Sequence, residues 1–191
     1  HFDAILVRPA WMSNIDLEIS SVKQLELSGY LTVNSYGGIL RAKNKLRTLQ
    51  ILHHEGIPIP KTCVIHSLEY LDAAVEKLGN FPVLVKSPYG LQGTGVVILE
   101  SMRSLRSAME WISLEHKNKL LVIQEYIKEA KGKDIRVFVV GGKVVAAMER
   151  KARKGEFRSN FHRGGSIKVA DLSDEERAIG VRAADVVGLD I

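Results

Sequence analysis

A lysine closes the apolar run Phe81-Pro82-Val83-Leu84-Val85-Lys86, and the chain passes at once into Tyr89-Gly90-Leu91-Gln92-Gly93-Thr94-Gly95 and a second apolar run, Val96 to Leu99. A strand that ends on a cation and feeds a glycine-rich loop gathers one positive charge and several unshielded backbone N–H groups. Gly90, Gly93 and Gly95 have no Cβ, so the backbone can approach a ligand closely, and consecutive amides form a concave anion site. That is chemistry for a polyphosphate. The spacing is neither the GxxxxGK[ST] phosphate loop nor GxGxxG before a helix, because Val96-Val97-Ile98-Leu99 reads as a strand. The loop therefore reads as a hairpin lid over a nucleotide; judged on this segment alone, an ordinary glycine-rich hairpin with an exposed lysine is the competing reading.

Three further constellations carry chemistry. Gln124-Glu125-Tyr126-Ile127 ends an apolar strand at a strand-to-loop joint, where backbone groups and a dry slot suit an adenine ring. Asp134-Ile135-Arg136 puts Asp134 and Arg136 on one face of a strand, since side chains alternate with period two; a structural salt bridge between them is the plain alternative. Arg158-Ser159-Asn160 with His162-Arg163-Gly164-Gly165 supplies a planar guanidinium, an amide and a glycine turn in one loop, and arginine suits bidentate contact with phosphate or carboxylate.

The elements that must position these groups alternate along the chain. Ala4 to Val7 has a strand pattern, and a helix from Asp16 or Ser20 runs to Leu27 and stops at Gly29. Ile39 to His54 reads as one helix ending at Gly56, with Pro58 and Pro60 marking a linker. Val64-Ile65 is a strand, and Ser67 caps a helix through Leu78, closed by Gly79-Asn80. After the lysine strand and its loop, Ser101 caps a helix to about His116. Leu120 to Gln124 and Ile135 to Val140 are strands, the second turning at Gly141-Gly142 into Val144 to Met148. Arg153 to Ser166 is a polar, basic loop, and Ser173 with Glu176 at the capping-box position opens a closing helix to Val187. There is no internal repeat.

Composition sets the bounds. The 191 residues, 46% hydrophobic and 26% charged, suffice for one large domain or two small ones with real cores. No apolar run approaches the ~20 residues that cross a bilayer, and His1-Phe2-Asp3-Ala4 opens no export signal. The single cysteine, Cys63, makes no internal disulfide, and no Cys/His cluster has zinc spacing, which fits a reducing cytosol and a cytoplasmic protein; Cys63 reads as a small buried hydrophobe in a strand. The net charge of +5 is concentrated in Arg41 to Arg47 and Arg150 to Arg163. Phe157 and Phe161 lie within the second cluster, so RNA binding stays open as a competitor.

The order of these segments resembles the ATP-grasp ligases, and within them the RimK-type α-L-glutamate ligases. The match is carried by Arg41 to Arg47, Val85-Lys86, Gly90 to Val96, Gln124 to Ala130, Asp134-Ile135-Arg136 and Phe157 to Gly165, and covers nearly the whole chain. The resemblance implies an α+β chain with the ATP-grasp fold: two α+β subdomains clamping ATP, 37–118 with the glycine-rich lid and 119–191, preceded by the end of an α/β domain over 1–36. It implies that Lys45 and Lys86 contact the nucleotide phosphates, with Gly93, Thr94 and Gly95 in the lid. Glu125 and Tyr126 would hold adenine and Asp134 would sit beside the ribose. Arg158, Ser159 and Asn160 would complete the nucleotide site, with Arg136, Arg150 and Arg163 orienting phosphate or the carboxylate substrate.

The implied reaction is activation of a carboxylate by ATP to an acyl phosphate, then amine attack to give an amide, ADP and phosphate, with magnesium or manganese bound. No enzyme nucleophile is needed, in accord with the lack of a Ser/His/Asp or Cys/His arrangement. L-Glutamate is the implied amine. The acceptor is a ribosomal protein C-terminus, a carrier protein as in a lysine-biosynthesis ligase, or a small molecule, and the assembly a dimer or tetramer. One departure is notable: the family holds its metal with a strand carboxylate and a later Glu-x-Asn pair, and this chain offers only Asp190 near its end. The chain is accordingly expected to be an internal portion of a longer enzyme that binds ATP better than it turns it over. A non-catalytic ATP-binding or regulatory module is the alternative, with RNA binding a distant third.

Overall fold

The computed structural model describes residues 2–8, 17, 19–87, 95–115, 120–130, 132–153, 155–156, 158–159 and 164–191. The chain divides into two compact units, one made of His1–Pro58 with Gly132–Ile191, the other of Ile59–Lys131. The expected lid residues Gly93 and Thr94, and Phe157, Asn160, Phe161, His162 and Arg163, lie outside the described residues.

In the second unit, β3 (Thr62–Ile65), β4 (Val83–Lys86), β5 (Val96–Leu99) and β6 (Leu121–Glu125) form one antiparallel sheet in the order β3-β6-β4-β5. The helices α4 (Leu71–Leu78) and α5 (Met102–Glu115) cover one face. The pleat explains the sorting of side chains: Ile65, Val83, Val85, Leu99, Leu121 and Ile123 point into a core with Leu71, Ala74, Val75, Leu78, Leu105 and Met109, while Thr62, Leu84, Lys86, Val96, Ile98, Val122 and Gln124 share the opposite face. Cys63 is half-buried and packs against that core. Ser101 Oγ accepts the Ser104 N–H, the cap its position predicts. Ser67 makes no such bond; a short 3-10 turn at Leu68–Tyr70 leads into α4 instead.

In the first unit, β1 (Ile5–Leu6) pairs in parallel with β2 (Thr32–Val33), a strand the sequence pattern does not reveal. The helix α1 (Ser20–Leu27) ends before Gly29 at φ +83°. The single helix expected over 39–54 is two, α2 (Tyr36–Lys43) and α3 (Lys45–His54). Asn44 breaks it, because its backbone is extended (φ −105°, ψ 109°) and its Oδ1 accepts the Leu46 and Arg47 N–H groups as the cap of α3. An asparagine side chain competes well for such groups. The β7 (Lys133–Val140), β8 (Lys143–Lys151) and β9 (Ser166–Val169) strands form an antiparallel sheet. The 141–142 turn has positive φ at both glycines, as a tight hairpin requires. β9 takes up the end of the stretch read as loop, its Ile167 and Val169 pairing with Arg150 and Met148. The closing helix α6 (Asp174–Val187) carries the expected Ser173/Glu176 capping box. Its end is fixed by Arg41, whose Nε donates to the Val187 carbonyl at 2.6 Å.

Candidate functional site

Lys86 is the last residue of β4, and its side chain lies on the face away from the helices. Its ammonium donates to Gln124 Oε1 on the adjacent strand β6. Gln124 Nε2 donates to Thr62 Oγ1 at 2.8 Å on β3, and that hydroxyl donates to the Pro60 carbonyl at 2.7 Å. The amide thus runs from one side of β6 to the other, and it is 3% exposed. A buried amide left unpaired would cost about 1–3 kcal/mol, so the relay fixes which way Gln124 points. Around it the face is apolar: Val122 is fully buried, while Val64, Leu84, Val96 and Ile98 are partly exposed. A flat apolar platform with an ammonium at its end suits a ring system carrying an anionic tail.

Glu125 closes β6, where Lys61 N–H donates to its Oε1 at 2.7 Å while the Glu125 N–H donates to the Lys61 carbonyl at 3.0 Å. These two bonds pin the strand-to-loop joint at which Tyr126, half-buried, begins the exit. Gly95, at φ +72°, accepts the Ser87 N–H at 2.9 Å and closes the described base of the glycine loop.

The other unit holds a second cluster. Arg150 on β8 grips both oxygens of Asp134 on β7, Nε to Oδ1 at 2.7 Å and Nη2 to Oδ2 at 2.6 Å, and the Ser159 hydroxyl donates to Oδ2. Burial alone would raise the Asp134 pKa. The hydrogen bonds from Arg150 and Ser159 and the charges of Arg150 and Arg136 outweigh it and hold the carboxyl below its ordinary range, while the bond to Asp134 raises Arg150. The ion-pair partner of Asp134 is therefore Arg150, opposite it across the ladder, while Arg136 on the same strand face contributes charge alone. Ser159 is buried and ties the basic loop to β7. Arg158 is bound by its own loop, Nε and Nη2 reaching Glu156 at 3.0 and 2.9 Å.

Lys45 is the first residue of α3 and half-buried; burial lowers its pKa. The N-terminal end of a helix carries partial positive charge, so a cation there is unfavourable unless an anion is near. Asp190 is exposed, and its backbone is held on both sides: its N–H donates to Asn34 Oδ1 at 2.7 Å and its carbonyl accepts the Gly141 N–H at 2.8 Å. Among the described residues no three His, Cys, Asp or Glu side chains gather to hold a metal ion. Also among them, no helix is long and apolar enough to cross a membrane. Thr62 and Glu156 enter the site without having been singled out by the sequence, and Gln124, the first residue of the Gln124–Ile127 motif, had been given no role of its own. Their signal is positional: Thr62 and Gln124 are polar residues on the lysine face of otherwise apolar strands.

Comparison with known proteins gives one consistent answer. Residues 42–191 match the model of the RimK-like ATP-grasp domain. A probable α-L-glutamate ligase of Klebsiella pneumoniae is 42% identical over all 191 residues, which span 63% of its length. A ribosomal protein bS6–L-glutamate ligase of Shigella boydii is 39% identical, again over the whole chain and 63% of the relative. Among solved structures, a RimK domain ATP-grasp protein from Sphaerobacter thermophilus superposes with a TM-score of 0.76 at 20% identity, over 99% of this chain and 66% of that one. The D-alanine–D-alanine ligase of Bacillus anthracis complexed with ATP gives 0.69 at 22% identity, over 90% of this chain and 56% of that one. The fold is the ATP-grasp fold.

Proposed function

The chain belongs to the RimK-like ATP-grasp family, and from that premise we propose that it binds ATP for a carboxylate–amine ligase that adds L-glutamate to an acceptor carboxylate, a ribosomal protein C-terminus in the first instance. The observation that carries the reading is Lys86 at the end of an apolar sheet face, held in place by Gln124. Adenine lies on Leu84, Val96, Ile98 and Val122, near the joint formed by Glu125 and Tyr126, and the Lys86 ammonium reaches the phosphates. Lys45, Gly93, Thr94, Gly95, Asp134, Arg158, Ser159 and Asn160 are proposed nucleotide contacts, and Arg136 and Arg163 orient the carboxylate or the transferred phosphoryl group. Arg158 would have to exchange Glu156 for phosphate to do so.

In the reaction an acceptor carboxylate oxygen attacks the γ-phosphorus and the bond to ADP breaks. The glutamate amine then attacks the acyl carbon, loses a proton, and phosphate leaves with the bonding electrons. The chain's part is positioning and charge neutralisation. Magnesium or manganese would neutralise phosphoryl charge in such a reaction, and Asp190 is the residue of this chain proposed to hold it, although among the described residues no three His, Cys, Asp or Glu side chains gather to hold a metal ion.

The second reading, an ATP-binding module without turnover, shares the same proposed nucleotide contacts. RNA binding is disfavoured because Arg150 and Arg158 of the basic cluster are spent on Asp134 and Glu156. The test is thermal: a non-hydrolysable ATP analogue with magnesium should raise the melting temperature, Lys86→Ala should abolish the rise, and RNA should not reproduce it. Stabilisation by RNA alone would overturn the proposal. ADP release that depends on both glutamate and an acceptor peptide separates the ligase from the module.

A further inference from the structure

We propose that Gln124, oriented by Thr62, is a positioning residue that aims the Lys86 ammonium at the nucleotide phosphates, and that its neutrality is the property required. This rests on the nucleotide reading above and deepens it.

A lysine on four rotatable carbons loses side-chain freedom when it is fixed on a ligand. A partner that restrains it beforehand removes part of that cost from binding. Gln124 can act so because its own geometry is set from the far side. Thr62 Oγ1 accepts from Nε2 at 2.8 Å, and its own proton is committed to the Pro60 carbonyl at 2.7 Å. The hydroxyl is thereby left as an acceptor, which dictates that Gln124 turns NH2 toward Thr62 and its carbonyl oxygen toward Lys86. The amide is 3% exposed, so water offers it little alternative. The ladder places all three on one face: Thr62 opposite Gln124, and Leu84 of the lysine strand opposite Gln124 on the other side, with Lys86 two residues on.

The residue type is informative. A glutamate at 124 would fit the same space and would hold an ammonium more tightly, but it would add a negative charge where phosphate oxygens are to bind. A neutral oxygen restrains the ammonium and adds none. Packing alone would accept glutamine or glutamate beside a lysine.

The experiment is a double-mutant cycle on the 191-residue chain, reading the Kd of a non-hydrolysable ATP analogue and of adenosine by calorimetry, with melting temperatures measured alongside. Gln124→Leu is expected to weaken the analogue about tenfold in the wild-type background and less than twofold in Lys86→Ala, with adenosine changed less than twofold throughout. Gln124→Glu, which keeps the shape of the side chain, is expected to weaken the analogue at least as much as Gln124→Leu. Thr62→Val should reproduce the loss in part and Thr62→Ser should rescue it. The inference is overturned if Gln124→Glu binds the analogue as wild type does, or if Gln124→Leu costs as much in Lys86→Ala as in wild type, which marks a structural role. If Lys86→Ala itself leaves the analogue's Kd unchanged, the nucleotide reading fails, and the inference falls with it.

Discussion

Asp134 faces Arg150 because β8 carries one residue more than β7 can match. From the turn, Val140 pairs with Lys143 and Val139 with Val144, a register that continued unbroken would set Asp134 against Glu149. A shift between Phe138 and Val139 moves the ladder so that Phe138 meets Ala146 and Asp134 meets Arg150. Val145 is the extra residue, 60% exposed. The bulge turns two opposed carboxylates into a bidentate ion pair.

Deletion of Val145 should therefore cost more than the loss of its side chain. With Asp134 at 40% and Arg150 at 15% side-chain exposure, the pair is worth less than the ~3–5 kcal/mol lost when a fully buried one is broken. The deletion should destabilise by about 2 kcal/mol in urea denaturation and Val145→Ala by under about 0.5 kcal/mol. Equal costs would show that the register does not matter.

The depressed Asp134 carboxyl has a pH signature. A group whose folded pKa lies below its unfolded value, about 3.9 for aspartate, contributes fully above that value and loses its contribution as pH falls through the folded one. Stability measured from about pH 5 downward should fall more steeply in the wild type than in Asp134→Asn. Parallel acid limbs would contradict the depression.

Asn44→Ala distinguishes two helices from one by sign. As the cap of α3, Asn44 is worth about 1 kcal/mol, so alanine should destabilise and aspartate be tolerated. In the middle of an uninterrupted helix, alanine would instead stabilise by several tenths of a kcal/mol. Thermal and urea denaturation of the two variants read this directly.

Gly38 tests the seat of α6. A Cβ there would stand 2.1 Å from the Gly188 carbonyl oxygen, backbone against backbone, whereas Gly29 has open space and pays only for φ +83°. Gly38→Ala should cost roughly 2–3 kcal/mol and Gly29→Ala about 1 kcal/mol. A Gly38→Ala variant as stable as Gly29→Ala would show that α2 does not approach the end of α6 this closely.

Much of this was legible in the residues. The apolar strand ending on Lys86, the Ser173/Glu176 box and the Gly141-Gly142 turn each carry a local signal strong enough to place an element, and the strand pattern placed Asp134 and Arg136 on one face. What escaped depends on backbone conformation at one residue or on partners distant in sequence. Asn44 reads as a tolerable helix residue until its extended backbone is seen. Ser166–Val169 becomes a strand only against β8. Arg150 could be matched to Asp134 only by knowing of the bulge, and Gln124 to Lys86 only from the order β3-β6-β4, which no spacing along the chain discloses. Thr62 is 62 residues from Gln124, and its hydroxyl bears on the lysine only through that pairing.

Lys45 and Lys86 are proposed to meet the phosphates of the nucleotide. Calorimetric binding of ATP and adenosine to the wild type, Lys45→Ala and Lys86→Ala tests it most directly. A charge-assisted hydrogen bond is worth about 1.5–3 kcal/mol, so each variant should bind ATP roughly tenfold to a hundredfold more weakly while its adenosine affinity stays within about twofold. Equal loss of both ligands, or no loss of ATP affinity, would show that the two lysines do not meet phosphate.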